Sequence, residues 1–346
     1  MASISVLCSG SVEQGPYGVN LLRQQLGHTV YDGADAKRQP LIKIRDVLEH
    51  RAGYPILKAL QLIPRVVKSE AVLCFLEQHA QFPALLKSKN IPPYASKPLA
   101  MISCWLAEEL LQASTSERTE LVKKYSAVDL IFVLSSNQVD ILVDAGFPRE
   151  RVEGISFGFA PELFSHSPHM KKPGLISAVG FDRGRDYATL IEAARTINAD
   201  IHLYTRPESV AGIDLPSNII FHGLVPFEEY VKVLHESSIL AIPTVELAYP
   251  TGQTVALEAA ATGAALLLTE SAAMRDYFDD QVAYYHPQGD PEAWSLRINQ
   301  LLEDPQEVAQ KGHRASEHVH ANFLYLSMWR SIEQSLHNRG WLLAGS

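Results

Sequence analysis

Thr251-Gly252-Gln253-Thr254-Val255-Ala256-Leu257-Glu258 sets hydroxyls, a glycine, an amide and a carboxylate along the predicted start of a helix that stops at Gly263. An apolar strand, Ile239 to Pro243, leads into it. A helix N-terminus offers unpaired N–H groups and a partial positive charge, so it attracts anions. Gly252 permits close approach of the backbone to a bound group. Thr251 or Thr254 can cap the helix or donate to an oxygen, and Glu258 can accept from hydroxyls. A diphosphate carrying a ribose suits that set; a capped structural helix with a solvated glutamate is the plainer alternative. Arg183 and Arg185 lie in a second strand–loop–helix turn, between Leu175–Val179 and Tyr187–Ile197. Their guanidinium forks match phosphate oxygens, unless they merely decorate the loop. Gly10, Gly15 and Gly18 form a glycine-rich loop after the first strand and offer a further phosphate-facing backbone. His79 follows the strand Ala71–Leu76, where the end of a sheet opens, and can orient a hydroxyl. Trp105, Glu108 and Glu109 follow Leu99–Ser103 and either line a pocket or belong to an amphipathic helix. His222 and His235 read as packing or capping groups.

The elements that must position these groups alternate along the chain. Ile4–Cys8, His28–Tyr31, Ala71–Leu76, Leu99–Ser103 and Leu130–Ser135 are short apolar strands separated by helical stretches such as Val19–Leu26. After Pro161 a second series begins: Leu175–Val179, Ile201–Tyr204, Ile219–His222, Ile239–Pro243 and Ala265–Thr269, with helices at Tyr187–Ile197, Phe227–Glu236 and Thr254–Ala261. This is the pattern of βαβ units and parallel sheets buried on both faces. At 346 residues the chain is long for one domain, and two are expected. Phe157–Pro173, with Gly158, Pro161, Pro168 and Pro173, is the expected linker. Two doubly wound domains would place strand C-terminal ends on both sides of one cleft. Phe323–Leu336 carries Leu326, Trp329, Ile332 and Leu336 at helical spacing.

Composition removes several classes. A formal net charge of -9 argues against nucleic acid as a partner. Cys8, Cys74 and Cys104 are widely spaced in apolar stretches, so neither a zinc site nor a disulfide framework is expected. No signal segment and no membrane-spanning run is visible. A cytoplasmic protein is expected, or one at the inner face of the membrane. That second location rests on Lys37, Arg38, Lys43, Arg45, Arg51, Lys58, Arg65 and Lys68, which make residues 37–68 basic within an acidic chain and offer a peripheral membrane contact.

Several of these motifs together resemble the retaining GT-B glycosyltransferases of the family four type, glycosyl transferases group 1. Val179-Gly180-Phe181-Asp182-Arg183-Gly184-Arg185-Asp186 resembles that family's phosphate-contacting turn, Phe221-His222-Gly223-Leu224-Val225-Pro226 its base-binding turn, and Thr251 to Gly263 its donor helix. Ile155 to Phe164 resembles the interdomain junction, and Asp290-Pro291-Glu292-Ala293-Trp294 a late helix start. The likeness covers about residues 128 to 330; the first 125 match in pattern only. It implies an α/β, GT-B fold of two Rossmann-like domains: an acceptor domain of residues 1–157 completed by a helix at about 323–346, and a nucleotide-sugar domain of residues 158–322. It implies transfer of a sugar with retention, without metal or other cofactor, from a UDP- or GDP-sugar to a hydroxyl of a glycan, lipid or small molecule. Arg183, Arg185 and His79 take the catalytic roles. Gly15, Gly18, Gly223, Val225, Thr251, Gly252, Gln253, Thr254 and Glu258 hold the donor, with Glu258 on the ribose; Trp105 and Glu108 meet the acceptor. One departure stands out: Pro250 occupies the place of the family's first glutamate, and Glu246 is nearby but offset. A sugar-nucleotide epimerase and a non-catalytic nucleotide-sugar-binding subunit remain as alternatives.

Overall fold

The computed structural model describes residues 1–33, 49–51 and 53–342. One compact unit joins Met1–Ser156 to Tyr325–Ser346; the other is Phe157–Leu324. The first contains six parallel strands: β1 (Ser3–Leu7), β2 (Thr29–Asp32), β3 (Ala71–Phe75), β4 (Leu99–Ser103), β5 (Leu130–Val133) and β6 (Val152–Gly154), in the order β2-β1-β3-β4-β5-β6. Every residue of β3, β4 and β5 is buried, as expected for strands covered on both faces. The helices between them are α1 (Leu21–Gln24), α2 (Leu57–Val66), α3 (Glu77–Ser88), α4 (Leu106–Gln112), α5 (Thr115–Tyr125) and α6 (Ser136–Ala145). A reciprocal cap between Ser114 and Glu117 starts α5.

The second unit repeats the architecture. Its strands β7 (Lys172–Val179), β8 (Ile201–Tyr204), β9 (Ile219–Phe221), β10 (Ser237–Ile242), β11 (Ala265–Thr269) and β12 (Ala283–His286) are ordered β12-β11-β10-β7-β8-β9. Helices α7 (Tyr187–Ala194), α8 (Phe227–Glu236), α9 (Gln253–Thr262), α10 (Ala272–Arg275), α11 (Pro291–Glu303) and α12 (Pro305–Asn322) flank it. Fully buried Trp294 packs with Tyr187, Leu190, Ile201, Leu203 and Ile298 into one core. Asp290 and Asp304 cap α11 and α12, each followed by proline, where the missing N–H is not needed. The last helix, α13 (Tyr325–Asn338), belongs to the first unit. There Trp329 is fully buried, its Nε1 donating 3.0 Å to the Tyr17 carbonyl, and Ser335 donates 2.6 Å to Glu153.

Several boundaries differ from expectation. The helix expected at Val19–Leu26 is a single turn, because Gly18 and Gly27 hold positive φ at both ends. The expected linker reaches into β7: Lys172 pairs with Ser237 and the register slips before Ile239, so Pro173 sits at an irregularity that tolerates its missing N–H. Strands β6 and β12 were not anticipated. β6 has three residues, and β12 is an edge strand whose middle residues are only half-buried. No helix among the described residues is long and apolar enough to cross a membrane.

Candidate functional site

In the second unit the strand order reverses between β10 and β7. Open parallel sheets bind ligands at such a reversal, outside the strand C-termini. The loop after β7 and the loop after β10 meet there. Arg185 and Thr244 form a bridge, Asp186 N donates 3.0 Å to the Pro243 carbonyl, and Val245 N donates 2.9 Å to the Gly184 carbonyl. Local chemistry shapes the first loop. Asp186 accepts from Thr189 N at 3.2 Å and from its hydroxyl at 2.6 Å, which starts α7. Tyr187 Oη donates 2.6 Å to the Gly180 carbonyl.

Arg185 is held at the centre of this junction, its side chain only 3% exposed. Its Nε donates 3.1 Å to Asp182, while its Nη1 is buried without an acceptor among the described residues. The guanidinium lies against Gly252: a Cβ built there would stand 3.3 Å from Nη1 and 2.6 Å from Ile242 Cγ2. Gly252 has φ +83 and begins α9 with no side-chain cap. A cation at the positive end of a helix is electrostatically unfavourable unless an anion joins them. Thr251 Oγ1 and Gln253 Oε1, on residues 3% and 1% exposed, are also buried without partners among the described residues. Thr254 is half-buried on the first turn of α9, and Arg183 is exposed on the loop surface. The two arginines therefore occupy different environments, one packed under the loop and one upon it.

Glu258 lies on the second turn of α9, 8% exposed, and accepts a short hydrogen bond from Tyr230 of α8. Burial pushes its carboxyl up to about 7, against the opposing effect of the Tyr230 hydroxyl. Gly223 and Val225, both half-buried, follow β9. Beside them His222 stacks on Tyr204 at 4.4 Å and lies 2.9 Å from His202. Arg206 covers Phe181 at 4.2 Å. Leu224 and Phe227 are more than half exposed. This aromatic and apolar rim suits a flat ring.

In the first unit the strand order reverses between β1 and β3, and the predicted residues of this unit divide. His79 is buried there, its Nε2 3.2 Å from the Ser9 hydroxyl of the loop after β1. Leu76, just before α3, has φ +75, a strained value for leucine. The other residues predicted here have structural roles in view. Gly18, with φ +69, packs on Tyr325, where a Cβ would approach within 2.7 Å; Gly15 packs likewise on Asn20. Glu108 is buried and accepts 2.6 Å from Gln112 of its own helix. Trp105 is the N-cap residue of α4, and its N–H is bonded to Glu77. Among the basic residues, Lys58 donates to the Cys8 and Gly10 carbonyls and Arg65 to that of Asp32; Lys37, Arg38, Lys43 and Arg45 lie outside the described residues.

Asp182, Tyr230 and the Tyr204–His202–His222 stack were not singled out as site residues in the sequence. Asp182 had a signal, lying three residues before the arginine it pairs with. Tyr230 had none, standing 28 residues from Glu258 on another helix.

Residues 185–304 match the model of a family described as glycosyl transferases group 1. No curated protein matches the chain. Solved structures match nearly its whole length. HepE of Anabaena, crystallised with UDP and glucose, superposes with a TM-score of 0.70 at 16% identity, covering 98% of this chain and 100% of its own. Sucrose-phosphate synthase of Thermosynechococcus elongatus gives 0.70 at 15% identity, covering 98% and 99%. The lipopolysaccharide outer core galactosyltransferase WaaB gives 0.62 at 11% identity, covering 97% and 99%. Two six-stranded parallel sheets and these superpositions give the chain the GT-B fold, and residues 185–304 are similar to the glycosyl transferases group 1.

Proposed function

We propose that the chain transfers a sugar from a UDP- or GDP-sugar to a hydroxyl acceptor with retention of configuration, and that the junction of β7, β10 and α9 holds the donor diphosphate. The supporting observation is Arg185 Nη1, buried beside the uncapped N-terminus of α9 with no acceptor among the described residues. Phosphate oxygens satisfy both at once. In this reading Glu258 and Tyr230 meet the ribose hydroxyls, and the rim of Tyr204, His222 and Leu224 meets the base. The structure of HepE with UDP-glucose gives a relative of the same fold that binds such a donor.

In transfer, the bond from the anomeric carbon to the donor phosphate breaks and a bond to the acceptor oxygen forms on the same face. The acceptor proton passes to the departing phosphate oxygen. Negative charge builds on the diphosphate as the bond breaks, where Arg185, Arg183 and the α9 dipole stabilise it.

A panel of UDP-, GDP- and ADP-sugars in thermal-shift assays tests the reading. A ligand that binds only the folded state at 100 times its Kd adds about 2.7 kcal/mol of stability. The matching nucleotide sugar should raise the midpoint, and incubation with candidate acceptors should release nucleoside diphosphate. Conversion of the sugar nucleotide without acceptor would favour an epimerase. Absence of stabilisation by every nucleotide would refute the proposal.

A further inference from the structure

We propose that Gln253 recognises a hydroxyl group of the transferred sugar and sets donor-sugar selectivity. The proposal rests on the donor reading above and deepens it. Gln253 is the first residue of α9, and its side chain is buried within the junction. One end of its amide is engaged: Nε2 lies 3.2 Å from the Tyr249 hydroxyl. The other end, Oε1, is buried without a partner among the described residues. A buried amide oxygen left unsatisfied is destabilising, so the junction is complete only when a donor group reaches it.

The chemistry of a nucleotide sugar narrows the choice of that group. Phosphate oxygens accept hydrogen bonds and, when ionised, donate none, so the diphosphate cannot satisfy an amide oxygen. Arg185 Nη1 and the N–H groups of α9 take the phosphates instead. The base is assigned to the rim after β9, and the ribose to Glu258 on the next turn. The sugar, attached directly to the second phosphate, is the part that brings hydroxyl donors beside the first residue of α9.

Pro250 offers no side-chain acceptor, and its carbonyl already accepts from Gln253 N at 3.0 Å. Thr251 Oγ1, equally buried and without a partner among the described residues, supplies a second polar group on the other side of Gly252. Both oxygens are buried. A site built to bond a substrate hydroxyl rejects analogues that lack it far more strongly than an apolar pocket rejects a missing methylene.

The test compares Gln253→Met, which keeps the length and loses both polar ends, with the unmutated chain. Calorimetry with free UDP and GDP measures the diphosphate anchor. Turnover of UDP-glucose against UDP-galactose, or the corresponding GDP pair, measures selectivity between epimers. Free diphosphate affinity should stay within about twofold, while kcat/KM for the preferred sugar falls at least tenfold and the epimer ratio collapses by a similar factor. Tyr249→Phe, which keeps the ring, should relax the ratio severalfold and guards against a folding defect in the first variant. Unchanged epimer ratios in both variants overturn the proposal, as does a parallel loss of free diphosphate affinity. Failure of the unmutated chain to bind any nucleoside diphosphate would overturn the broader reading instead.

Discussion

Glu258→Gln should stabilise the ligand-free protein at alkaline pH and leave it unchanged at acid pH. Glu258 is nearly buried, and burial raises its carboxyl from 4.5 to about 7. A carboxyl raised on folding holds its proton more tightly in the native state. Its stabilising effect is complete below the unfolded value of 4.5 and is lost as pH rises through about 7. At about 1.36 kcal/mol per pH unit between those values, the native state loses about 3 kcal/mol from pH 4.5 to pH 8 through this one group. Glutamine keeps the shape and still accepts from Tyr230, but never ionises. For a unit of this size, about 3 kcal/mol corresponds to roughly 6–12 °C in Tm. Melting curves of both proteins, recorded from pH 5 to pH 8.5 without nucleotide, should nearly coincide at the acid end and separate steadily above it. The same variant should bind nucleoside diphosphate more weakly at pH 8, since a carboxylate bonds ribose hydroxyls more strongly than an amide does. A constant offset in Tm at every pH, or a gap that widens toward acid, would refute the burial argument.

Three further outcomes are expected. Arg185→Gln removes at least one charge-assisted bond of about 1.5–3 kcal/mol to the donor, so nucleoside diphosphate affinity should fall at least tenfold; unchanged calorimetric affinity would remove Arg185 from the site. Gly18→Val forces a Cβ into Tyr325 at a φ of +69, so Tm should fall while UDP or GDP affinity at low temperature persists; lost affinity in a fully folded variant would assign the glycine to the donor. Glu77 accepts from Ser103 Oγ at 2.7 Å, Trp105 N at 2.5 Å and Leu106 N at 3.1 Å. Glu77→Ala should therefore cost about 2–4 kcal/mol in denaturant unfolding, since it leaves buried donors unpaired; a loss under 1 kcal/mol would contradict that account.

The fold was legible because its strands are buried on both faces and read as plain apolar runs. β4, β8 and β11 fall on the expected residues. β6 and β12 escaped because short edge strands carry too little periodicity to stand out. The turns of the candidate site were legible where chemistry is local: Arg183, Arg185 and Gly252 all lie between a strand and a helix, as expected. What the sequence could not carry is depth. Nothing in the run Arg183-Gly184-Arg185 says that one side chain is exposed and the other sinks to 3% exposure. Likewise the partnership of Glu258 with Tyr230 arises only when α8 packs against α9. Gly15 and Gly18 show another limit of the sequence: it suggests a ligand beside glycines after a first strand, and does not show that Asn20 and Tyr325 lie where a side chain at each would stand.

The return of α13 to the first unit has a consequence for biosynthesis. Residues 157–324, complete in themselves, leave the ribosome while the first unit still lacks the tryptophan that fills its core. Until Trp329 is translated, Phe75, whose ring centroid lies 6.2 Å from that indole in the finished protein, has an unfilled neighbour position. The unit begun first is thus the one finished last. A nascent chain stalled before residue 325 should carry a folded second unit beside an unfinished first one, with the exposed apolar surface that chaperones bind.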